Sequence, residues 1–129
     1  MNPITKIAAR LLVTVAVLLV ILSASIPSSR AGGQTVFTIG FDDGNADQYN
    51  ARAILSAHQM HATFFANSGV VGDSTHMTWA QLTDLYTDGN EITGHSLTHA
   101  NLKKLKVTAL RQEVCGDRVN LFNHGFQPT

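Results

Sequence analysis

Two short polar motifs contain the side chains best suited to chemistry. Asp42 and Asp43 stand side by side before Gly44, and His95 and His99 lie four positions apart. Gly44 lets the chain turn so that both carboxylates face one site, where they repel each other unless a cation takes one as a ligand. Imidazoles at this spacing lie on one side of a helical turn, within reach of one ion. With either aspartate they predict a two-His, one-carboxylate metal site that suits zinc and leaves a position open for water or substrate.

Each motif is a weak signal by itself. An Asp-Asp-Gly sequence is commonly a solvated turn. A chain with six His among its 129 residues also produces a His-x-x-x-His spacing by chance quite often. The alternative interpretation is therefore a pair of capping aspartates and surface histidines. What favours the metal site is that both motifs follow predicted strands.

The elements that must position these motifs alternate between strands and helices. β-Branched and aromatic runs predict strands, and apolar residues at helical spacing predict helices. The strands are predicted at residues 35–41, 62–66 and 91–94, and the helices at 46–60, 78–89 and 108–125. This order predicts an α/β fold with a parallel sheet and crossover helices. The aspartates follow the first strand and the histidines the third, and the carboxyl ends of parallel strands meet at one edge of the sheet.

Capping residues mark the predicted helix ends. Thr78 is a predicted N-cap for a helix that ends at Gly89, and Thr108 is a predicted cap for a helix that ends at Gly125. The helical spacing assigns these apolar residues to one side of each helix: Ala46, Tyr49, Ala53, Ile54 and Ala57; Trp79, Leu82, Leu85 and Tyr86; Leu110, Val114, Leu121 and Phe122.

Four stretches of the sequence form a more specific pattern. They read TIGFDDG at 38–44, ATFF at 62–65, GNEITGH at 89–95 and HSLTH at 95–99. Together they resemble the NodB-type polysaccharide deacetylases, carbohydrate esterase family 4, over about residues 36–106. Gly40 stands where that family usually has Thr, a departure that leaves both aspartates in place.

The resemblance implies a role for each site residue. It implies that Asp43, His95 and His99 bind a divalent metal, most often zinc, although such a set also accepts cobalt, nickel or iron. It implies that Asp42 is the general base, which takes a proton from a metal-bound water as that water attacks an acetyl carbonyl. Thr98 either shapes the acetate pocket or caps a helix N-terminus. The implied partner is an acetylated polysaccharide: N-acetylated chitin-like or peptidoglycan sugars, or an O-acetylated polymer such as xylan.

The resemblance also implies a fold larger than this chain. The family fold is a distorted (β/α) barrel that needs roughly 200 residues to close. We therefore expect residues 32–129 to be the N-terminal portion of such a barrel, incomplete in this chain. No stretch matches the family's later motifs, an Arg-Pro-Pro-Tyr-Gly-like loop, an Asp-Trp segment and a Leu-x-His. A non-catalytic glycan- or metal-binding fragment and an unfolded truncation product are the alternatives.

The N-terminal residues have the pattern of a secretory signal peptide. Lys6 and Arg10 precede an apolar run at 11–22, and small residues continue to Ala31. A signal peptide at 1–31 predicts a secreted or cell-envelope protein. The alternative is an uncleaved membrane anchor, but the run is shorter than the roughly 17–25 residues of a span.

Charge argues against a nucleic-acid partner. The chain has nine Lys or Arg against nine Asp or Glu, and residues 32–129 keep six against nine, a net charge of −3. Such a balance lacks the basic patch that nucleic-acid binding needs.

The remaining His and the single Cys have predicted structural roles. Cys115 is predicted to be a small buried residue on a helix, with a partner outside this chain as the alternative. His124 is predicted to end a helix, and His58, His61 and His76 to be solvated at a helix end or in a loop.

Overall fold

Three parallel strands and the helices beside them make up the fold. The structure, a computed structural model, describes residues 35–128. The strands are β1 (Gly40–Phe41), β2 (Thr63–Ala66) and β3 (Glu91–Gly94). The helices are α1 (Ala51–Ala57), α2 (Trp79–Thr87), α3 (Val107–Arg111) and α4 (Asp117–Asn123), with 3₁₀ turns at Ala46–Asn50 and Leu102–Lys104 and a π-helical turn at Gln112–Gly116. The predicted α/β class is confirmed.

The sheet has the order β1-β2-β3. Both strand pairs are parallel, as predicted. Phe64 of the central strand lies beside Phe41 on one side and Ile92 on the other. All three strands therefore end at the same edge of the sheet, where the next residues of the chain begin their loops.

β1 is shorter than the strand predicted at 35–41. The carbonyl of Ile39 still accepts a hydrogen bond from the amide of Thr63, at 2.9 Å. Before it, Val36 is 80% exposed and Phe37 is 85% exposed. Among residues 35–128, β1 pairs with β2 alone, and the side chains of Val36 and Phe37 are exposed, so only the last residues of the predicted strand join the sheet.

The core lies between the sheet and the helices. The ring of Phe41 stacks on that of Phe64, with 4.7 Å between the centroids. In β2, buried and half-buried residues alternate, as expected for a strand with its two faces in different surroundings. The buried apolar residues are Leu55, Ala62, Phe64, Ala66, Met77, Leu82, Leu85, Ile92, Leu121 and Phe126.

α2 begins and ends where the sequence predicts. Thr78 is its N-cap, and it forms a capping box with Gln81 in which each side chain bonds the other residue's backbone amide. Gly89 follows the helix with φ +92°, a left-handed conformation that glycine adopts without a Cβ penalty. This helix therefore packs Leu82 and Leu85 against the sheet in a register fixed by local signals.

The helix predicted at 46–60 differs in its first turn. Residues Ala46–Asn50 form a 3₁₀ turn, and the α-helix reaches only Ala57. A 3₁₀ turn has fewer residues per turn than an α-helix, so it rotates the residues that follow. Leu55 is consequently the buried residue of α1, whereas Ile54 is 60% exposed.

The helical stretch near the C-terminus also departs from the predicted pattern. Its N-cap is Lys106 rather than Thr108. Of the apolar residues expected on its inner face, Leu121 is buried, but Val114 and Phe122 are exposed. The π-helical turn in the middle of the stretch shifts the inner face, because it has more residues per turn than the α-helix on either side.

Residues 1–34 and 129 lie outside the described part of the chain, so the predicted signal peptide and the alternative membrane anchor lie outside it too. Within residues 35–128, no helix has the length and apolar character needed to cross a bilayer.

Candidate metal centre

Asp43, His95 and His99 meet at the carboxyl edge of the sheet. Asp43 follows β1, and both histidines follow β3. Oδ1 of Asp43 lies 3.4 Å from Nε2 of His95 and 3.4 Å from Nε2 of His99. One ligand atom from each residue lies within 4.8 Å of the other two, and in residues 35–128 no other His, Cys, Asp or Glu trio is as close.

The distances from Asp43 to the two histidines fit a divalent metal. Zinc binds His nitrogen and carboxylate oxygen at about 2.0–2.2 Å in tetrahedral sites, which places neighbouring ligand atoms about 3.3–3.6 Å apart. The two 3.4 Å separations fall in this range. Oδ1 of Asp43 is buried and accepts no hydrogen bond from the described residues. A buried carboxylate oxygen that faces two imidazoles and lacks a donor is suited to a cation.

The turn after β1 aims the Asp43 side chain. Asp43 has φ +74° and Gly44 has φ +73°, so two successive residues adopt the left-handed conformation. A Cβ at Gly44 would lie 3.3 Å from atoms of Ala66, which leaves little room for a side chain there. The amide of Met77 donates to the carbonyl of Gly44 at 2.9 Å and holds the turn against the neighbouring loop.

Asp42 lies outside the trio. Its residue is exposed, and its backbone carbonyl accepts a hydrogen bond from the side-chain amide of Gln48. Of the two aspartates that the sequence left open as ligands, Asp43 is the one whose carboxylate meets the histidines. The role of Asp42 as a general base stays a prediction.

The two histidines lie in an irregular loop rather than on a helical turn, so that expectation from their spacing is wrong. Residues 95–100 contain no helix, and Ser96 and His99 have φ +68° and +58°. The amide of His99 donates to Oγ of Ser96 at 3.1 Å. The imidazoles still stack, with centroids 5.2 Å apart and planes 24° apart. Long-range hydrogen bonds, rather than helical geometry, hold this loop.

The loop after β2 supplies one of those anchors. The side chain of Asn67 is buried, and its amide donates to the carbonyls of His95 and Ser96. The backbone amide of Ser68 donates to Oδ1 of Asp117 at 2.9 Å. From the sequence, residues 67–69 were predicted only to form a polar loop, and their role in anchoring the histidine loop was missed.

Glu113 supplies a second anchor. Its carboxylate accepts the amide of Thr98 at 2.9 Å and the hydroxyl of Thr98 at 2.7 Å. Thr98 therefore does not cap a helix N-terminus, and that alternative is wrong, because the next helical turn begins at Leu102 and has Asn101 as its N-cap. Its role in an acetate pocket stays a prediction. One feature of the sequence could have indicated this anchor. Glu113 and Asp117 are acids four positions apart, and Leu121, four positions further on the same side of the helical stretch, is apolar and buried.

The remaining His and the Cys lie away from the trio. Cys115 is exposed, so its predicted burial is wrong; the π-helical turn places it on the outer side. His124 ends α4 as predicted and stacks on Trp79 with 3.5 Å between centroids. His58 and His61 are exposed as predicted, but His76 is half-buried and pairs with Asp73 at 2.8 Å. The ion pair with Asp73, three residues earlier, holds the imidazole of His76 against the loop and explains why it is not fully solvated.

An open cleft of about 730 Å³ adjoins the histidines. Its lining includes His95 and His99 on one wall and Asp117 and Arg118 on the α4 wall. The cleft gives a polar ligand access to the imidazoles from solvent.

Comparison with known proteins agrees with the resemblance in the sequence. Residues 29–125 match the polysaccharide deacetylase family. The chain therefore belongs to this family of hydrolases, which confirms the resemblance.

The chain is also similar to individual deacetylases. The chain is 32% identical over 89 residues to putative polysaccharide deacetylase YxkH of Bacillus subtilis, and this covers 68% of the chain and 32% of the relative. Among solved structures, it is similar to Streptococcus pyogenes deacetylase PplD in complex with acetate, with a TM-score of 0.68, 21% identity and coverage of 80% and 47%. Peptidoglycan deacetylase PdaC from Bacillus subtilis gives a TM-score of 0.64 at 28% identity, with coverage of 75% and 48%.

The chain thus spans about a third to a half of the length of these relatives. Its three-stranded parallel sheet and helices correspond to part of the deacetylase barrel, as expected for the N-terminal portion of that fold.

Proposed function

We propose that the protein is a metal-dependent hydrolase that removes N-acetyl or O-acetyl groups from a carbohydrate polymer. One observation carries the proposal: Asp43, His95 and His99 converge at the edge of the sheet, with an unbonded buried oxygen of Asp43 facing both imidazoles. Membership of the deacetylase family supports the reaction class.

The three ligands would hold a divalent cation, with zinc as the first choice. A cation bound there would polarise an acetyl carbonyl and acidify a water molecule, so that hydrolysis proceeds near neutral pH. Cobalt, nickel or iron suit the same donors.

Asp42 takes the proton from the attacking water as general base. Its support is its position: it precedes the ligand Asp43, it is exposed at the same edge of the sheet, and its carboxylate is not a member of the trio. The hydrogen bond from Gln48 to its carbonyl fixes the backbone at this point. A base must stand beside the nucleophile and remain accessible to it.

The substrate is an acetylated polysaccharide, such as peptidoglycan, a chitin-like polymer or xylan. The relative PdaC is named a peptidoglycan deacetylase, which makes peptidoglycan the first polymer to test. The cleft beside the histidines opens to solvent, as a site for a polymer must. Thr98, in the histidine loop, is the residue proposed to help shape the acetate pocket.

We propose that the protein acts outside the cytoplasm, secreted or in the cell envelope. The N-terminal pattern of Lys6, Arg10 and the apolar run at 11–22 supports this location, as does a polymeric cell-wall substrate. Retention at the membrane applies only where the N-terminal segment is not cleaved.

The second candidate is a non-catalytic metal- or glycan-binding fragment. It rests on the same trio, because three ligand atoms that converge can hold a cation whether or not turnover follows. It shares the metal site with the first candidate and differs in turnover.

Acetate release separates the two candidates. The full chain is incubated with zinc and acetylated peptidoglycan, chitin oligomers or acetylxylan, and acetate is quantified. The proposed hydrolase releases acetate, and Asp42→Asn stops release while zinc stays bound. The matched control is Asp47→Asn, which changes a nearby acidic residue of the 3₁₀ turn. Zinc binding without acetate release would select the second candidate, and an active Asp42→Asn would remove the proposed base.

A further inference from the structure

Glu113 ties the histidine loop to the C-terminal helical stretch. The residue is only 8% exposed, although it carries a carboxylate. Oε2 accepts the amide of Thr98 at 2.9 Å, and Oε1 accepts its hydroxyl at 2.7 Å. The backbone carbonyl of Glu113 accepts the amide of Leu97 at 2.9 Å. Two successive loop residues are therefore bonded to one helical residue.

The loop needs such an external support. Ser96 and His99 both adopt positive φ, a conformation that L residues rarely take, and Thr98 lies between them. The two histidines at the ends of the loop can share an ion only while this conformation persists. Bonds that fix the middle of the loop therefore fix the separation of its two imidazoles.

The π-helical turn explains why an acid faces the loop. Gln112–Gly116 interrupts the α-helical winding, and such turns change which residues face inward. Glu113 then faces the histidine loop, and Asp117 faces Ser68 in the loop after β2. The helical stretch thus presents two buried acceptors to two different loops of the site edge.

We infer that Glu113 is a positioning residue that holds the 95–99 loop in the conformation in which His95 and His99 converge on Asp43. The inference rests on the proposed function in one respect, namely that the converged imidazoles bind a metal. The hydrogen bonds from the Thr98 hydroxyl and amide lower the pKa of Glu113, so this carboxylate is ionised and only accepts at neutral pH.

The test measures zinc affinity and loop order in the same variants of the full chain. Glu113→Gln keeps the size of the side chain but presents an NH₂ group to donors. Zinc dissociation constants come from competition with a chromophoric chelator. Amide exchange of the metal-free protein reports on Thr98, with His95 as an internal reference because its amide bonds Ala66. Asp88→Asn is the matched control, since it removes a bonded carboxylate far from the loop.

The expected result is zinc binding weakened about 10-fold in Glu113→Gln, within the range for residues that support metal ligands. Asp88→Asn should bind zinc as the wild type does. In the metal-free Glu113→Gln chain, the amide of Thr98 should exchange faster while that of His95 stays protected. Unchanged zinc affinity together with an unchanged Thr98 amide would overturn the inference.

A second pair of variants tests the inference if the Glu113→Gln chain does not fold. Thr98→Val removes the hydroxyl that Glu113 binds, and Thr98→Ser keeps it. Weaker zinc binding in Thr98→Val than in Thr98→Ser supports the inference, and equal affinities contradict it. A wild-type chain that binds no zinc contradicts the proposed function instead; loop exchange in the metal-free variants then decides the role of Glu113 by itself.

Discussion

Two polar networks in this chain use similar bonds in different surroundings. The helix clamp, formed by Tyr49, Arg52, Asp84 and Asp88, joins α1 to α2 on the surface. Its bonds are short, with Arg52 Nε 2.6 Å from Asp88 Oδ2 and Tyr49 donating to Asp84 at 2.7 Å. Its charged side chains nonetheless remain 33–49% exposed.

The loop anchors, formed by Asn67, Glu113 and Asp117, bond the two loops at the site edge and are buried. Asp117 is only 2% exposed. Water can replace a lost bond in the helix clamp, whereas a lost bond in the loop anchors leaves a buried donor without a partner. Burial, rather than bond length, therefore decides which network loses more stability when one of its bonds is removed.

The largest expected effect lies at Asp43, whose carboxylate faces both imidazoles of the histidine loop. Asp43→Asn should weaken zinc binding by at least about 100-fold, because loss of a supporting residue alone already costs about 10–100-fold. Asp42→Asn is the matched control and should change zinc affinity by less than about threefold, since its carboxylate lies outside the trio. Chelator competition measures both, and equal effects of the two variants would contradict the assignment of Asp43.

Removal of a loop anchor should cost more stability than removal of a clamp residue. Asp117→Ala leaves the buried amide of Ser68 without its acceptor, so the free energy of unfolding should fall by about 2 kcal/mol. Urea denaturation of the metal-free chain measures it. A loss no larger than that of Asp88→Ala would break the distinction between the two networks.

Gly94 packs closely against Asp117, one of the loop anchors. A Cβ at this position would lie 2.2 Å from Oδ2 of Asp117, too close for either atom to stay in place. Gly94→Ala should therefore destabilise the chain by about 1–3 kcal/mol. In Gly94→Ala with Asp117→Ala the clash is gone, so the combined loss should be smaller than the sum of the single losses. Additive losses would show that the close approach is not the cause.

Glu113 should make the stability of the protein depend on pH in the acidic range. Because hydrogen bonds from Thr98 lower the native pKa of Glu113, the unfolded chain binds this proton more readily than the native chain does. The stabilisation is present above the unfolded pKa of about 4.3 and is lost as the pH falls through the lower native value. Glu113→Gln should flatten the fall in urea midpoint below about pH 5. Parallel profiles for the two proteins would contradict this.

The smallest effect is expected in the helix clamp. The Arg52 side chain holds the pKa of Asp88 below its usual range by hydrogen bonding, but both side chains are accessible to water and salt. Asp88→Asn should change the urea midpoint only slightly, and the change should shrink further in about 1 M NaCl, where charges are screened. A large decrease in the urea midpoint that salt does not reduce would show that the helix clamp stabilises the protein as the buried loop anchors do.

The sequence predicted the elements that local signals define. β3 at Glu91–Gly94 and the capped helix α2 appear where they were predicted, because β-branched runs, Thr78 and Gly89 act over a few residues. The parallel pairing of the strands was also predicted, as was the edge of the sheet at which Asp43 and the histidines meet.

The conformation of the histidine loop could not be predicted in this way. The four-residue spacing of the two histidines indicated a helical turn. The loop conformation is instead fixed by hydrogen bonds with Asn67 and Glu113, which are far away in the sequence. The exposure of Cys115 follows from a π-helical turn that a regular 3.6-residue period does not describe. In the histidine loop, distant partners rather than neighbouring residues fix the backbone.

Zinc K-edge X-ray absorption of the full chain loaded with one equivalent of zinc reports directly on the ligands at the metal site. We expect two imidazoles with nitrogen and oxygen donors at about 2.0–2.2 Å, and loss of one imidazole in His99→Ala. The exposed Cys115 is the competing donor. Scattering from sulfur at about 2.3 Å, or a spectrum without two imidazoles, would contradict the Asp43, His95 and His99 site.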